Sequence, residues 1–193
     1  PDGSFDPSFN AGSGASSSVM ALALQSDGRI VVGGGFFGFA GTLINGLVRL
    51  NSDGSVDSGF LTRGVNGTVN ALAVQANGKI LVGGFLPTYV DANGGLVTRS
   101  HLLRLEADGG LDFGFYPTFN NTVSALALQA DGQFLVGGQF TSYAGNNVGR
   151  IVRLDASGGL DLAFNSGTGS GFSSTSSSSV NSLAVQADGR ILA

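Results

Sequence analysis

The chain has 193 residues, 33 of them Gly, with 11% charged residues, a formal net charge of -4, one His, and no Cys or Trp. Because 42% of the residues are hydrophobic, a charge-rich disordered chain is excluded, and the glycines follow no three-residue collagen period. Absence of Cys removes disulfides, thiolate zinc and a Cys nucleophile; the acidic balance disfavours nucleic acid, and no apolar run approaches the roughly 18 residues of a membrane helix.

The first element, PDGSFDPSF over residues 1–9, reads as the end of a preceding unit. A complete unit follows over 19–60. It opens on VMALALQSDGRIVVGG from Val19 and closes on LVRLNSDGSVDSGF from Leu47. The same two blocks return over 68–115 as TVNALAVQANGKILVGG and LLRLEADGGLDFGF. They return over 122–164 as TVSALALQADGQFLVGG and IVRLDASGGLDLAF, and SVNSLAVQADGRILA over 179–193 begins another. Gln25, Gln75, Gln129 and Gln186 stand 50, 54 and 57 residues apart, so one unit is about 50 residues.

Each unit predicts two β-hairpins. Leu22 and Leu24 alternate with Ala21 and Ala23 at period two, and Asp-Gly turns such as Ser26-Asp27-Gly28 and Ser52-Asp53-Gly54 close the hairpins. Four short antiparallel strands per unit, apolar on both faces, describe a blade packed between neighbours. The expected fold is all-β, made of β-propeller blades and a partial propeller. The chain starts inside one unit and stops at Ala193, where other copies continue to Val-Gly-Gly. A segment of a longer propeller, or one closed by another chain, is therefore expected.

Register through the second hairpin sets Arg49 opposite Asp57, Arg104 opposite Asp112 and Arg153 opposite Asp161, a structural ion pair in every complete unit. Repeat positions absorb twelve of the thirteen acids, leaving Asp91; among the cations they leave Arg63, Arg99 and Arg150. In an up-and-down blade the two Asp-Gly turns share one face. The long, variable connections share the other: Gly84 to Arg104 spans 20 residues, where the other two units have 15. Asp91, Arg99, His101 and Arg150 fall in or beside these connections. So do Tyr89 and Tyr143, which share a repeat position with Phe39. These residues form the candidate ligand site, since binding groups concentrate on variable loops of a rigid scaffold. Tyr89 and Tyr143 carry two readings, stacking on sugar rings or filling the gap between blades. The Ser-rich tract from Ser173 to Ser179 reads as a low-complexity loop.

No catalytic constellation is legible. His101 has no buried carboxylate and strained Ser turn to work with, and the calcium-loop pattern of alternating acids is missing. No enzyme activity, cofactor or metal is expected.

The two-part string A-L-A-[LV]-Q-x-[DN]-G-[RKQ]-[IF]-[LV]-V-G-G and R-L-x-x-[DS]-G-x-[LV]-D-x-x-F resembles the delta-60 repeat family over essentially the whole chain, with a kelch-like Gly-Gly doublet. The resemblance implies β-propeller repeats of large bacterial secreted or surface proteins, with no general activity to carry over. The expected role is an extracellular, cell-surface scaffold for adhesion or ligand binding, facing a protein or glycan ligand and further repeats. The alternatives are a carbohydrate-binding lectin-type propeller and a purely structural spacer.

Overall fold

Strands buried on both faces need apolar residues at nearly every position rather than alternate ones, and the second and third strands of each unit have that composition apart from one Arg in each third strand. The computed structural model describes residues 4, 6–60, 62–91, 93–164 and 178–193, without the side chains of Thr62 and Arg63. Blade 1 contains β1 (Val19–Leu24), β2 (Ile30–Gly34) and β3 (Leu47–Leu50). Blade 2 contains β4 (Thr62–Val74), β5 (Ile80–Asp91), β6 (Leu96–Thr98) and β7 (Leu102–Leu105). In blade 3 they are β8 (Val123–Leu128), β9 (Phe134–Gly138), β10 (Ser142–Tyr143), β11 (Asn146–Asn147) and β12 (Ile151–Leu154). A further unit starts with β13 (Ala184–Val185) and β14 (Ile191–Leu192).

The sheets run antiparallel in the order β1-β2-β3, β4-β5-β7 and β8-β9-β12. The fourth strand of each complete blade is a single bridge, Leu50 to Val56, Leu105 to Leu111 and Leu154 to Leu160. It ends there because the next Asp folds the chain back: the Asp57 carboxylate accepts the Gly59 amide at 2.9 Å. The long connection of blade 2 also differs from the loop read in the sequence. β4 and β5 run on past their Gly-Gly end, and β6 pairs with β5 through Thr88–Thr98 and Val90–Leu96, making a raised hairpin.

Blades stack first strand to first strand, and the two glycines of each doublet permit this for different reasons. A Cβ on Gly33 would lie 2.4 Å from Cγ1 of Val69, and one on Gly83 or Gly137 would lie 2.6 Å from Val123 or Val180. These glycines are sockets for the next blade. A Cβ on Gly34, Gly84 or Gly138 would instead strike the carbonyl oxygen of Ser18, Thr68 or Thr122 at 2.0–2.1 Å. Those oxygens turn inward at a β-bulge, where the register slips between Val19 and Ala21, Val69 and Ala71, and Val123 and Ala125.

The apolar clusters therefore lie between blades. Val31 and Leu47 of blade 1 join Val69, Ile80, Val82 and Leu103 of blade 2, while Leu81 and Leu102 face Val123, Phe134 and Val152 of blade 3. β1 is the exception: Leu22 is 66% and Leu24 68% exposed, although their repeat equivalents Leu72 and Val74 pack into the core between blades 1 and 2.

Candidate functional site

The two ends of the strands are built differently. At the turn end, acids cap their own turns: Asp27, Asp53, Asp131 and Asp188 each accept the amide two residues on, at 2.9–3.0 Å. The second-hairpin Arg–Asp pairs lie beneath them. Arg49 meets Asp57 at 2.7 Å, Arg104 meets Asp112 at 2.8 Å and Arg153 meets Asp161 at 2.7 Å. Each guanidinium stacks on the Phe that ends its unit, Phe60, Phe115 or Phe164, at 4.2–4.9 Å. Arg49 and Arg104 also reach across to the next blade, donating to the carbonyls of Ala107 and Ala156. The pairs thus serve as register pins and as ties between blades.

Burial pushes the carboxyls of Asp57 and Asp112 up, but hydrogen bonds and cations outweigh it and hold both below the usual carboxylate value. For Asp112 the cations are Lys79 and Arg104, at 2.9 and 2.8 Å. An open cleft of about 620 Å³ lies at this end between blades 1 and 2, lined by Gln25, Arg29, Arg49, Gln75 and Asp108. The sequence reading, directed to the opposite end, missed it. Its arginines are already engaged, Arg29 with Asp27 at 3.3 Å, and Arg49 with Asp57 at 2.7 Å and with the Gln25 amide oxygen at 3.3 Å.

The loop end holds the residues singled out from the sequence. β5 starts at a turn and ends at Asp91, and β7 starts at Leu102 and runs back towards the turns, so Asp91, Arg99 and His101 sit at the end opposite the Asp-Gly turns. Their environments separate them. Asp91 accepts the amides of Asn93 and Gly95, both at 2.8 Å, and so caps its own hairpin as the other acids do. Tyr89 and Tyr143 are buried, at 1% and 4% exposure, and their hydroxyls donate to the carbonyls of Gly109 and Gly158. Of their two readings, burial in the clusters between blades favours gap filling over stacking on sugar rings: they wedge the loop end onto the second-hairpin turn. Burial, with Asp155 nearby, pushes the Tyr143 hydroxyl up to about 12.

His101 and Arg150 prove to be one repeat position, together with Gly46. Their carbonyls accept the amides of Gly84, Gly138 and Gly34, each at 3.0 Å, and all three adopt positive φ of 63–68°. Positive φ is rare for residues with a side chain, and the differing residue types hid the equivalence in the sequence. Burial pushes the His101 imidazole below its ordinary value, and its ring packs on exposed Phe85 at 5.5 Å. Arg150 is buried and donates to the Gln139 carbonyl. The side chain of Arg63 and most of the Ser-rich tract, from Ser173 to residue 177, lie outside the described residues.

Arg99 is different. It is 5% exposed, with its guanidinium 4.7 Å from the Tyr116 ring and 5.9 Å from Phe113. Those rings are themselves 62% and 72% exposed. Sequence reasoning passed over both, although Phe113 stands where blades 1 and 3 carry Ser58 and Leu162, a signal that was available. Among the described residues, no three His, Asp or Glu side chains cluster in a way that could hold a metal ion, and no helix is long and apolar enough to cross a membrane.

No curated protein matches the chain. Among solved structures it is similar to a protein of unknown function from Bacteroides caccae at 14% identity. That match covers 76% of this chain and 68% of the other, at a TM-score of 0.27 that supports no argument. The family described as "Domain of unknown function (DUF5122) beta-propeller" matches residues 25–60, 75–115 and 129–164, one match to each complete blade, and the chain belongs to that family.

Proposed function

We propose that this is a non-enzymatic, extracellular bacterial repeat module of the delta-60 type, a scaffold that binds a surface ligand through the loop ends of its blades. The observation that carries the reading is the contrast between ends. The buried charges of the turn end pair with one another, whereas the loop end of blade 2 presents a raised hairpin, exposed aromatic rings and a cation that forms no ion pair among the described residues. A rigid sheet stack holding variable loops suits recognition rather than chemistry. A glycan and peptide array tests this with the whole chain, a variant with hairpin 85–98 shortened to the blade 1 length, and turn variants at Asp27 and Asp131. Binding that is lost with the hairpin and kept by the turn variants supports the proposal. No binding at all, or loss only in the turn variants, overturns it.

A second reading, a structural spacer in a larger repeat array, has one specific observation in its favour. The outer face of β1 carries Val19, Leu22 and Leu24 uncovered, and their repeat equivalents insert over the Gly33 and Gly83 sockets. A further blade, from the same or another chain, would find the same surface there. Analytical ultracentrifugation of the chain alone and of Leu22→Glu addresses it: concentration-dependent association lost in the variant favours this reading, and a monomer throughout counts against it.

A further inference from the structure

We infer that Arg99 is the anchor of a site for an acidic saccharide, its guanidinium taking the carboxylate of a hexuronate residue while Phe113 and Tyr116 flank the sugar ring. The inference rests on the proposed loop-end binding and names the ligand class.

Ser100 and Asn45 make the same parallel bridge, to Thr118 and Gly64, and the amides of Arg99 and Val148 donate to Pro87 and Thr141, both at 3.0 Å. Arg99 thus stands where the sister blades carry Ile44 and Val148, and both of those pack against their cores. A guanidinium has replaced a core aliphatic side chain. Burying a charge is costly unless it is paired, and here the pairing is incomplete. Nη1 donates to the Thr98 carbonyl at 2.8 Å, but Nε is buried with no hydrogen-bond partner among the described residues. Nor does any carboxylate of the described residues form an ion pair with Arg99. Of the two acids nearest along the chain, Asp91 is turned into its own hairpin and Glu106 pairs with Lys79. The missing partner is a planar anion able to meet a guanidinium edge, and a carboxylate fits that edge in bidentate fashion.

The surroundings select the kind of carboxylate. Exposed Tyr116 and Phe113 both lie within 6 Å of the guanidinium, and binding requires that an exposed side chain such as Tyr116, whose rotation is fast, turn aside to admit a ligand to the Nε edge. Flat aromatic faces beside a cation suit a pyranose, whose C–H groups lie against the negative ring face while its carboxylate reaches the arginine. Burial pushes the His101 imidazole below its ordinary value, so it favours the neutral form beside Arg99.

Titration calorimetry on the whole chain tests the assignment with tri-galacturonate, neutral galactotriose and a tri-glutamate peptide. Tri-galacturonate is expected to bind about tenfold or more tightly than galactotriose. Arg99→Ile should fold, since Ile44 fills this place in blade 1, and lose that preference. Arg99→Lys should keep part of it, and Tyr116→Ala should weaken tri-galacturonate without restoring galactotriose. If Arg99→Ile fails to fold, the last two variants decide. Absence of tri-galacturonate binding, an unchanged preference in Arg99→Ile, or tighter binding of the peptide each overturns the inference. If tri-galacturonate fails while array ligands still depend on hairpin 85–98, only this inference falls and the proposed function stands.

Discussion

The turn end and the loop end of the blades are built from the same strands but obey different physics. At the turn end each Asp satisfies backbone amides two residues away, and each Arg–Asp pair is fixed by a hairpin register of eight residues. These interactions are local, so every blade repeats them. At the loop end the partners come from distant segments: Tyr89 reaches Gly109, and Arg99 lies against Tyr116. Repetition there is uneven: Tyr89 and Tyr143 keep one hydrogen bond, whereas Gly46, His101 and Arg150 share one conformation with three different side chains. Local bonding conserves structure without help, and long-range bonding leaves side chains free to differ between blades.

The sharpest way to break this division is at the Gly-Gly pair where the two regimes meet. Gly84→Val places a Cβ 2.0 Å from the Thr68 carbonyl oxygen and should cost more than about 3 kcal/mol, read as a loss of folded protein by circular dichroism. Gly35→Ala, whose Cβ meets nothing nearer than 3.8 Å, should stay within about 0.5 kcal/mol.

Removing one member of a turn-end pair comes next. Asp112→Ala leaves Arg104 buried and uncompensated and should lose about 3 kcal/mol in urea unfolding. Asp91→Ala at the loop end removes only a hairpin cap and should lose about 1 kcal/mol or less. Equal losses would mean that the loop-end hairpin is as integral as the ion pairs.

Position within the stack should matter as much as residue type. Leu72→Ala is expected to cost about 2 kcal/mol because Leu72 fills the space above Gly33. Leu22→Ala, the same repeat position on the open face of β1, should change stability by less than about 0.5 kcal/mol. Tyr89→Phe should cost about 1 kcal/mol, the value of one buried hydrogen bond; no change would show that the Gly109 carbonyl finds another donor.

Acid should act through the turn end. The carboxyls of Asp57, Asp112 and Asp161 lie below the ordinary 3.8 in the folded state, so the unfolded chain takes up protons first as pH falls. Stability from these pairs is therefore complete above about pH 4 and is lost as pH drops through the lowered values. His101 adds an effect of the same sign below pH 6.5. Thermal melts across pH 2–7 check both, and Asp112→Ala should flatten the acid limb.

Much of this architecture could be read from residues alone. Periodicity, the Asp-Gly turns and the Arg–Asp spacing are properties of short stretches, governed by φ preferences, side-chain-to-backbone bonds and a fixed hairpin register. They determined the blades, their strand direction and the end at which the long connections lie. Tertiary structure alone decided what each loop-end side chain does. Tyr89 and Tyr143 became wedges because a carbonyl of the second-hairpin turn waits above each ring. Asp91 turned into its own hairpin, and Arg99 became a buried cation among exposed rings. Burial depends on which blade lies opposite and how the chain returns to it, and no spacing along the sequence encodes that distance.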